Sequence, residues 1–207
     1  YYSNSIRAVA LRFRNHDLIH KNSQMNDLDI RIALITACIH KAFAGVVLGD
    51  GVSLRQSIVI DNYGEGYTEE EFENIKTTEV VDDWTQVPHN ELMEAENIAH
   101  FDAGGFRYYI PALMLALIEK YDYSTMRVIG TLQSLYPEPD RYWFHYLDKY
   151  SLLSYDQKQA IAKFLIALPD LVTLDTEDKA MVERAIRNYW SEFLPIYIPT
   201  KDEYKNI

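Results

Sequence analysis

The chain has 207 residues, 48% of them hydrophobic, 25% charged and 13% aromatic, which is enough apolar mass for one globular core. Its one cysteine, Cys38, excludes a disulfide scaffold and points to a reducing, cytoplasmic setting. With 20 Lys+Arg against 31 Asp+Glu and a net charge of −11, the mean field disfavours phosphate-driven nucleic-acid binding and adsorption to an anionic membrane.

Residues 1–24 carry four bases and one acid, a local charge of +3, and the first methionine is Met25. The apolar run Ala8-Val9-Ala10-Leu11 is too short for a secretory core. The segment is expected to be a basic extension outside the fold, such as a leader, a tag remnant or the product of a mis-set start.

Residues 25–207 are expected to form a single helical domain. Asn26 or Asp27 can cap the first helix, and Ile32, Ile35, Ile39, Ala42 and Val46 keep helical spacing from Leu28 onward. Apolar residues flank that stripe on both sides, so a largely buried central helix is expected, with His40 at its edge. The charges Asp29, Arg31 and Lys41 interrupt the stretch, and no spanning segment is expected. Around Gly49-Asp50-Gly51, a hairpin competes with a helix break followed by a helix capped by Ser53. The helical reading is preferred, because no second convincing strand offers a partner.

From Asp61 to Asp102 there are thirteen acids and one base, Lys76, a local charge of −12. Thr68 before Glu69-Glu70-Glu71 places negative charge on a helix N-terminal turn, where the dipole favours it. A short helix is expected around Val80, Val81 and Trp84, and another from Pro88. Asp102 then caps a helix through Phe106, Tyr109, Leu113 and Leu117, with Pro111 kinking it or splitting it in two near Ile110. Ser124 or Thr125 opens the next helix, which Pro137 and Pro139 end, and Asp140 can cap Tyr142-Trp143-Phe144. Ser154 with Gln157 makes a capping box. Thr176 starts a last helix through Met181, Val182, Ala185 and Ile186, and Pro195 and Pro199 close the fold. The expected fold class is all-α, a single compact domain of about seven or eight short-to-medium helices with irregular crossing angles.

Few motifs carry chemistry. Asp61 to Phe72 has an EF-hand-like start, but Tyr63 stands at the third position and Phe72 where a bidentate Glu is needed. His100 with Glu94, Glu96 and Asp102 could serve as ligands or an acid–base pair, or Asp102 could simply cap a helix and His100 sit in a loop. His16 and His20 share helical spacing within the basic extension. No nucleophile elbow, phosphate loop, Cys pair or His-Glu-x-x-His occurs, so no catalytic residue, metal site or cofactor is assigned. Asp102, Arg107 and Tyr108 form the most distinctive cluster. An Arg one turn into a helix calls for an acidic partner, with Asp82, Asp83 and Asp102 as the candidates, and such a pair would be structural in preference to ligand-binding. The five tyrosines from Tyr136 to Tyr155 suit half-buried helix margins or an interface.

Leu48-Gly49-Asp50-Gly51, Asp83-Trp84, the run from Asp102 to Ala112 and the helix from Gln157 to Leu168 together resemble the bacterial DUF 6714 family of unknown function. The likeness spans Met25 to Phe193 and fits Met25 as the natural start. It implies a bacterial, cytoplasmic protein and transfers no activity.

The leading functional expectation is an interaction module, immunity-like in one version, that binds a basic protein through Glu69, Glu70, Glu71, Asp82, Asp83 and Trp84. A metal-dependent enzyme built on acidic-segment carboxylates with His100 is the alternative. A face that only confers solubility is the third.

Overall fold

The computed structural model describes residues 26–62, 66–123, 125–138 and 143–194. Among them nine α-helices and no strands occur: α1 (Asp27–Ala42), α2 (Leu54–Asp61), α3 (Glu69–Ile75), α4 (His89–Met93), α5 (Ala103–Glu119), α6 (Met126–Ser134), α7 (Trp143–Lys149), α8 (Tyr155–Leu171) and α9 (Thr176–Asn188). Four 3-10 turns join them, at Lys76–Thr78, Trp84–Gln86, Ile98–His100 and Trp190–Phe193. The basic extension with His16 and His20, the Tyr63-Gly64-Glu65 stretch, Ser124, Asp140, Tyr142 and the closing prolines Pro195 and Pro199 lie outside the described residues.

One continuous apolar cluster runs from Ile39 to Trp190, and α5 is its axis. Eleven of its seventeen residues are buried, and it packs against α1, α4, α6, α7 and α8. Each fully buried Phe or Leu on it, such as Phe106 or Leu113, contributes about 1.5–3 kcal/mol. Pro111 sits inside an unbroken helix instead of dividing it. Its missing N–H leaves the Arg107 carbonyl without the usual partner one turn on, a local loss that burial on all sides outweighs.

The expectation of a buried central α1 is corrected. Only Ile39 of that helix is buried, and Leu28, Ile30 and Leu34 face outward, Leu34 at 66% exposure. The helix lies at the periphery, packed chiefly on α8, and Arg31 braces it there by reaching both Asp27 (2.8 Å) and Asp170 (3.1 Å). It ends at Ala42, so Val46 is buried from the following loop.

The helical reading of the next stretch holds. Ser53 Oγ accepts the Gln56 N–H and Gln56 returns a bond to the Ser53 N–H, a full capping box on α2. Thr68 caps α3, Asp102 caps α5, Thr125 caps α6 and Ser154 with Gln157 boxes α8. Two local assignments change. Val80 and Val81 lie in an irregular link, leaving only a 3-10 turn at Trp84–Gln86. The cap of α9 is Asp175, whose carboxylate accepts the Asp178 N–H at 2.8 Å.

Two buried cations brace the fold. Arg127 Nη2 donates to the Lys120 carbonyl at 2.7 Å, closing the C-terminus of α5, while burial lowers its pKa against the pull of Asp122 and Glu119. Lys149, at the end of α7, donates to the Ala99 carbonyl at 3.1 Å, and burial pulls its pKa down to about 8.

Candidate functional site

The acidic segment is held in place by backbone and buried anchors, which leaves many of its carboxylates outside. Trp84 Nε1 donates to the Phe43 carbonyl (2.8 Å), the Tyr108 hydroxyl to the Val80 carbonyl (2.8 Å), and the Leu48 N–H to the Val81 carbonyl (2.8 Å). Trp84 is therefore core, 3% exposed, and lies tilted against His40 with ring centroids 5.0 Å apart. Its assignment to a binding surface is corrected: an indole with its N–H paired below α1 is a structural anchor. Burial lowers the pKa of the neighbouring His40, opposed by Asp83.

The acids divide by their partners. Glu71 bends back to the Thr68 N–H and hydroxyl, both at 2.8 Å, and those bonds lower its pKa. Asp83 accepts from the Thr85 N–H (3.0 Å) and hydroxyl (2.7 Å). Glu91 pairs with Arg55 at 3.1 Å, and Asp61 with His100 Nε2 at 2.9 Å. Glu69, Glu70, Glu73, Asp82, Glu94 and Glu96 are exposed and make no ion pair among the described residues. The neighbouring cations are already occupied: Lys76 donates to the Asp50 carbonyl (3.0 Å) and Arg55 to Thr78 and Glu91.

Glu79 is the inward-facing member of the set. Its Oε1 accepts the Arg55 N–H at 3.2 Å, while its Oε2 is buried with no hydrogen-bond partner. Desolvation raises its pKa. The Tyr108 and Tyr109 hydroxyls are likewise pushed up, first by burial and then by the surrounding acids.

Between α2 and α3 lies an open groove of about 440 Å³, lined by Arg55, Ile58, Val59, Tyr67, Glu71 and Ile75 among others. Nothing in the local sequence marked it. Ile58 follows the apolar spacing of a packed helix, yet it faces outward. Gln56 Nε2, bonded to the Phe72 carbonyl at 3.0 Å, fixes the two helices at this separation.

The Asp102, Arg107 and Tyr108 cluster is dispersed. Asp102 Oδ1 accepts the Gly105 N–H (2.8 Å), as a cap does, and also the Val52 N–H (2.9 Å) from the loop fifty residues earlier. That second bond clamps the loop onto the α5 N-terminus, and the contact is backbone against backbone. A Cβ on Gly51 would meet the Gly105 nitrogen at 2.5 Å, and one on Gly105 would meet the Val52 carbonyl oxygen at 2.2 Å. Only glycine admits this approach. Arg107 pairs with none of Asp82, Asp83 and Asp102 among the described residues, and its Nε is buried without a partner. Among the described residues no group of three or more His, Cys, Asp or Glu stands together as a metal site, and no helix is long and apolar enough to cross a membrane.

A family model described as "Family of unknown function (DUF6714)" matches residues 32–194. The chain belongs to the DUF6714 family. The matched region takes in both the Gly49-Asp50-Gly51 loop and the Asp102-Ala103-Gly104-Gly105 run, so the clamp between them lies within the DUF6714 part of the chain. No curated protein and no solved structure matches.

Proposed function

We propose that this protein is an acidic interaction module of the bacterial cytoplasm that docks a basic protein partner, as a toxin-neutralising immunity protein does. The observation that carries the reading is the surplus of exposed carboxylates: Glu69, Glu70, Glu73, Asp82, Glu94 and Glu96 project without ion pairs among the described residues, while Arg55 and Lys76 are engaged elsewhere. A surface of one sign accelerates encounter and selects partners by complementarity. Caps and buried anchors hold the framework, so little ordering is left for binding to impose. The same field repels nucleic acid. A metal-dependent enzyme would draw on Asp61 and His100, which supply two ligands; the docking reading uses the unpaired charge that they leave over.

The test removes charge and keeps the caps. Glu69→Gln, Glu70→Gln, Glu73→Gln and Asp82→Asn are combined, with Glu71 and Asp83 retained because they close α3 and the Trp84 turn. Partners are captured from native lysate at about 0.15 M salt, and the recovered protein is titrated against both forms. Four lost charge contacts at about 0.3–0.5 kcal/mol each predict affinity weaker by about tenfold, with a shallower salt dependence. Equal binding by both forms, or no stoichiometric partner at that salt, refutes the proposal.

A further inference from the structure

We infer that the exposed face shared by α1 and α8 pairs this chain with a second copy of itself, about a two-fold axis that passes through Leu34 and Ile166. The face uses no residue of the acidic segment, so the inference stands apart from the docking reading.

Two antiparallel helices build the face. Arg31, near the start of α1, reaches Asp170 at the end of α8 (3.1 Å), and the helices pack along each other, so they run in opposite directions. Ile30, Leu34, Ala37 and Lys41 recur at steps of three and four and are all exposed, which makes them one outward stripe of α1. On α8 the same spacing joins Gln159, Lys163, Ile166 and Asp170. Asp170 meets Arg31, so Ile166, one turn back along α8, stands beside Leu34, one turn on along α1. Leu34 is 66% exposed and Ile166 49%, and together with Ile30 they form the apolar centre of the face. Ala33 and Ala37, both exposed, leave that centre low enough for another helix to approach.

Charge selects the occupant. At one end of the face Asp27 and Asp170 share the single guanidinium of Arg31, at 2.8 and 3.1 Å, with side chains 80% and 67% exposed, so one negative charge is left over. At the other end Lys41 is exposed and makes no ion pair among the described residues, and Lys163 bonds to the neutral Gln159 (3.0 Å). The signs are placed symmetrically. Asp27 and Lys41 stand seven residues to either side of Leu34, and Lys163 and Asp170 stand three and four residues to either side of Ile166. A two-fold axis across both helices at Leu34 and Ile166 therefore reverses both pairs at once. It sets Lys41 and Lys163 of each copy against Asp27 and Asp170 of the other, while the apolar centre meets itself. Asp156, about two turns past Lys163, falls beyond the end of the partner's α8. A uniformly basic or uniformly acidic partner would suit one end of the face and be repelled by the other. The stripe from Asp27 to Lys41 is about 21 Å long and two helices side by side span about 20 Å, so each copy contributes about 400 Å² in projection. That is small for a specific interface and sets the expected dissociation constant in the micromolar range.

Sedimentation velocity of the full chain, from about 1 to about 200 μM at about 0.15 M salt, is expected to show the mass rising from one copy towards two. Leu34→Lys places two like charges on the axis and is expected to stay a single copy throughout, with its thermal melt at the lowest concentration unchanged because position 34 is exposed. Lys41→Glu turns a second acid towards the partner's Asp27 and is expected to weaken pairing at least about tenfold. Cysteine cross-linking reads the register, with Cys38→Ser as the background. Leu34→Cys and Ile166→Cys lie on the axis and are each expected to form an intermolecular disulfide under mild oxidation, whereas the thiols of Ile30→Cys stand about 12 Å apart and are not. A single copy at every concentration, a dimer untouched by Leu34→Lys, or cross-linking of Ile30→Cys as ready as that of Leu34→Cys each overturns the pairing. In a single copy, slow maleimide labelling of Leu34→Cys would assign the face to another segment of this chain and fast labelling would leave it bare, and both overturn the second copy.

Discussion

Replacing Asp102 by Ala separates a structural clamp from a ligand site, and its cost can be worked from the geometry. The carboxylate oxygen Oδ1 holds two backbone N–H groups, Gly105 at 2.8 Å and Val52 at 2.9 Å. Loss of the cap costs about 1 kcal/mol. Loss of a charge-assisted bond to Val52 costs about 1.5–3 kcal/mol, towards the lower figure because Asp102 is exposed and water can replace part of it. The sum is about 2.5–4 kcal/mol, and at about 2–4 °C per kcal/mol for a chain of this size Tm falls by roughly 5–16 °C. Asp102→Asn keeps an acceptor at Oδ1 and gives up only the charge, so its Tm falls by no more than half as much. Far-UV circular dichroism melts and urea titrations of the three proteins supply the comparison. An Asp102→Ala melt within about 2 °C of the parent, or an Asn variant as unstable as the Ala variant, would refute the clamp.

Gly105→Ala is expected to be worse than Asp102→Ala, because its Cβ would meet a backbone carbonyl oxygen at 2.2 Å and that oxygen has no side-chain freedom to withdraw. Loss of soluble folded protein, or a larger fall in Tm, is the outcome, and a parent-like melt would show that loop and helix can part freely. Lys149 carries a pH signature. Its pKa falls from 10.5 unfolded to about 8 in the fold, so the unfolded chain binds more protons between those values. The penalty for burying the charge is then full below about pH 8 and eases as pH rises. Stability of the parent relative to Lys149→Met is expected to climb by about 2 kcal/mol between pH 7 and pH 9.5, measured by urea unfolding. A flat difference across that window contradicts the burial of a titrating amine.

The parts of the fold that were legible in the sequence are those decided within four residues. Thr68, Asp102, Thr125 and the Ser154–Gln157 box declare themselves through side chains that reach the N–H groups of their own first turn. The errors are non-local. The first helix carries apolar residues on most sides, a pattern that suits a central helix, but spacing along one helix does not reveal how many neighbours it meets, and α1 leans chiefly on one. Trp84 follows two exposed aspartates and by sequence belongs to the surface, yet its partner is a carbonyl forty-one residues away. Asp102 was correctly a cap, while its second bond, to Val52, depends on a glycine contact between loops that only the folded backbone brings together. The groove eluded sequence reasoning for the same reason: the outward turn of Ile58 is fixed by Gln56 and Phe72, not by its own helical repeat.

The three glutamates opening α3 have a consequence for how this surface can vary. That helix is seven residues long with no buried residue, so core burial contributes little to it, and the favourable meeting of Glu69, Glu70 and Glu71 with its positive end is part of what keeps it wound. Charge and scaffold are thus the same residues. Neutral glutamine can replace Glu69 or Glu70 at modest loss, but lysine there would face the dipole with the wrong sign and weaken the helix that displays it by about 0.3–1 kcal/mol each. Drift at these positions is biased: the face can fade towards neutrality at little cost, whereas inversion to a basic face works against its own support.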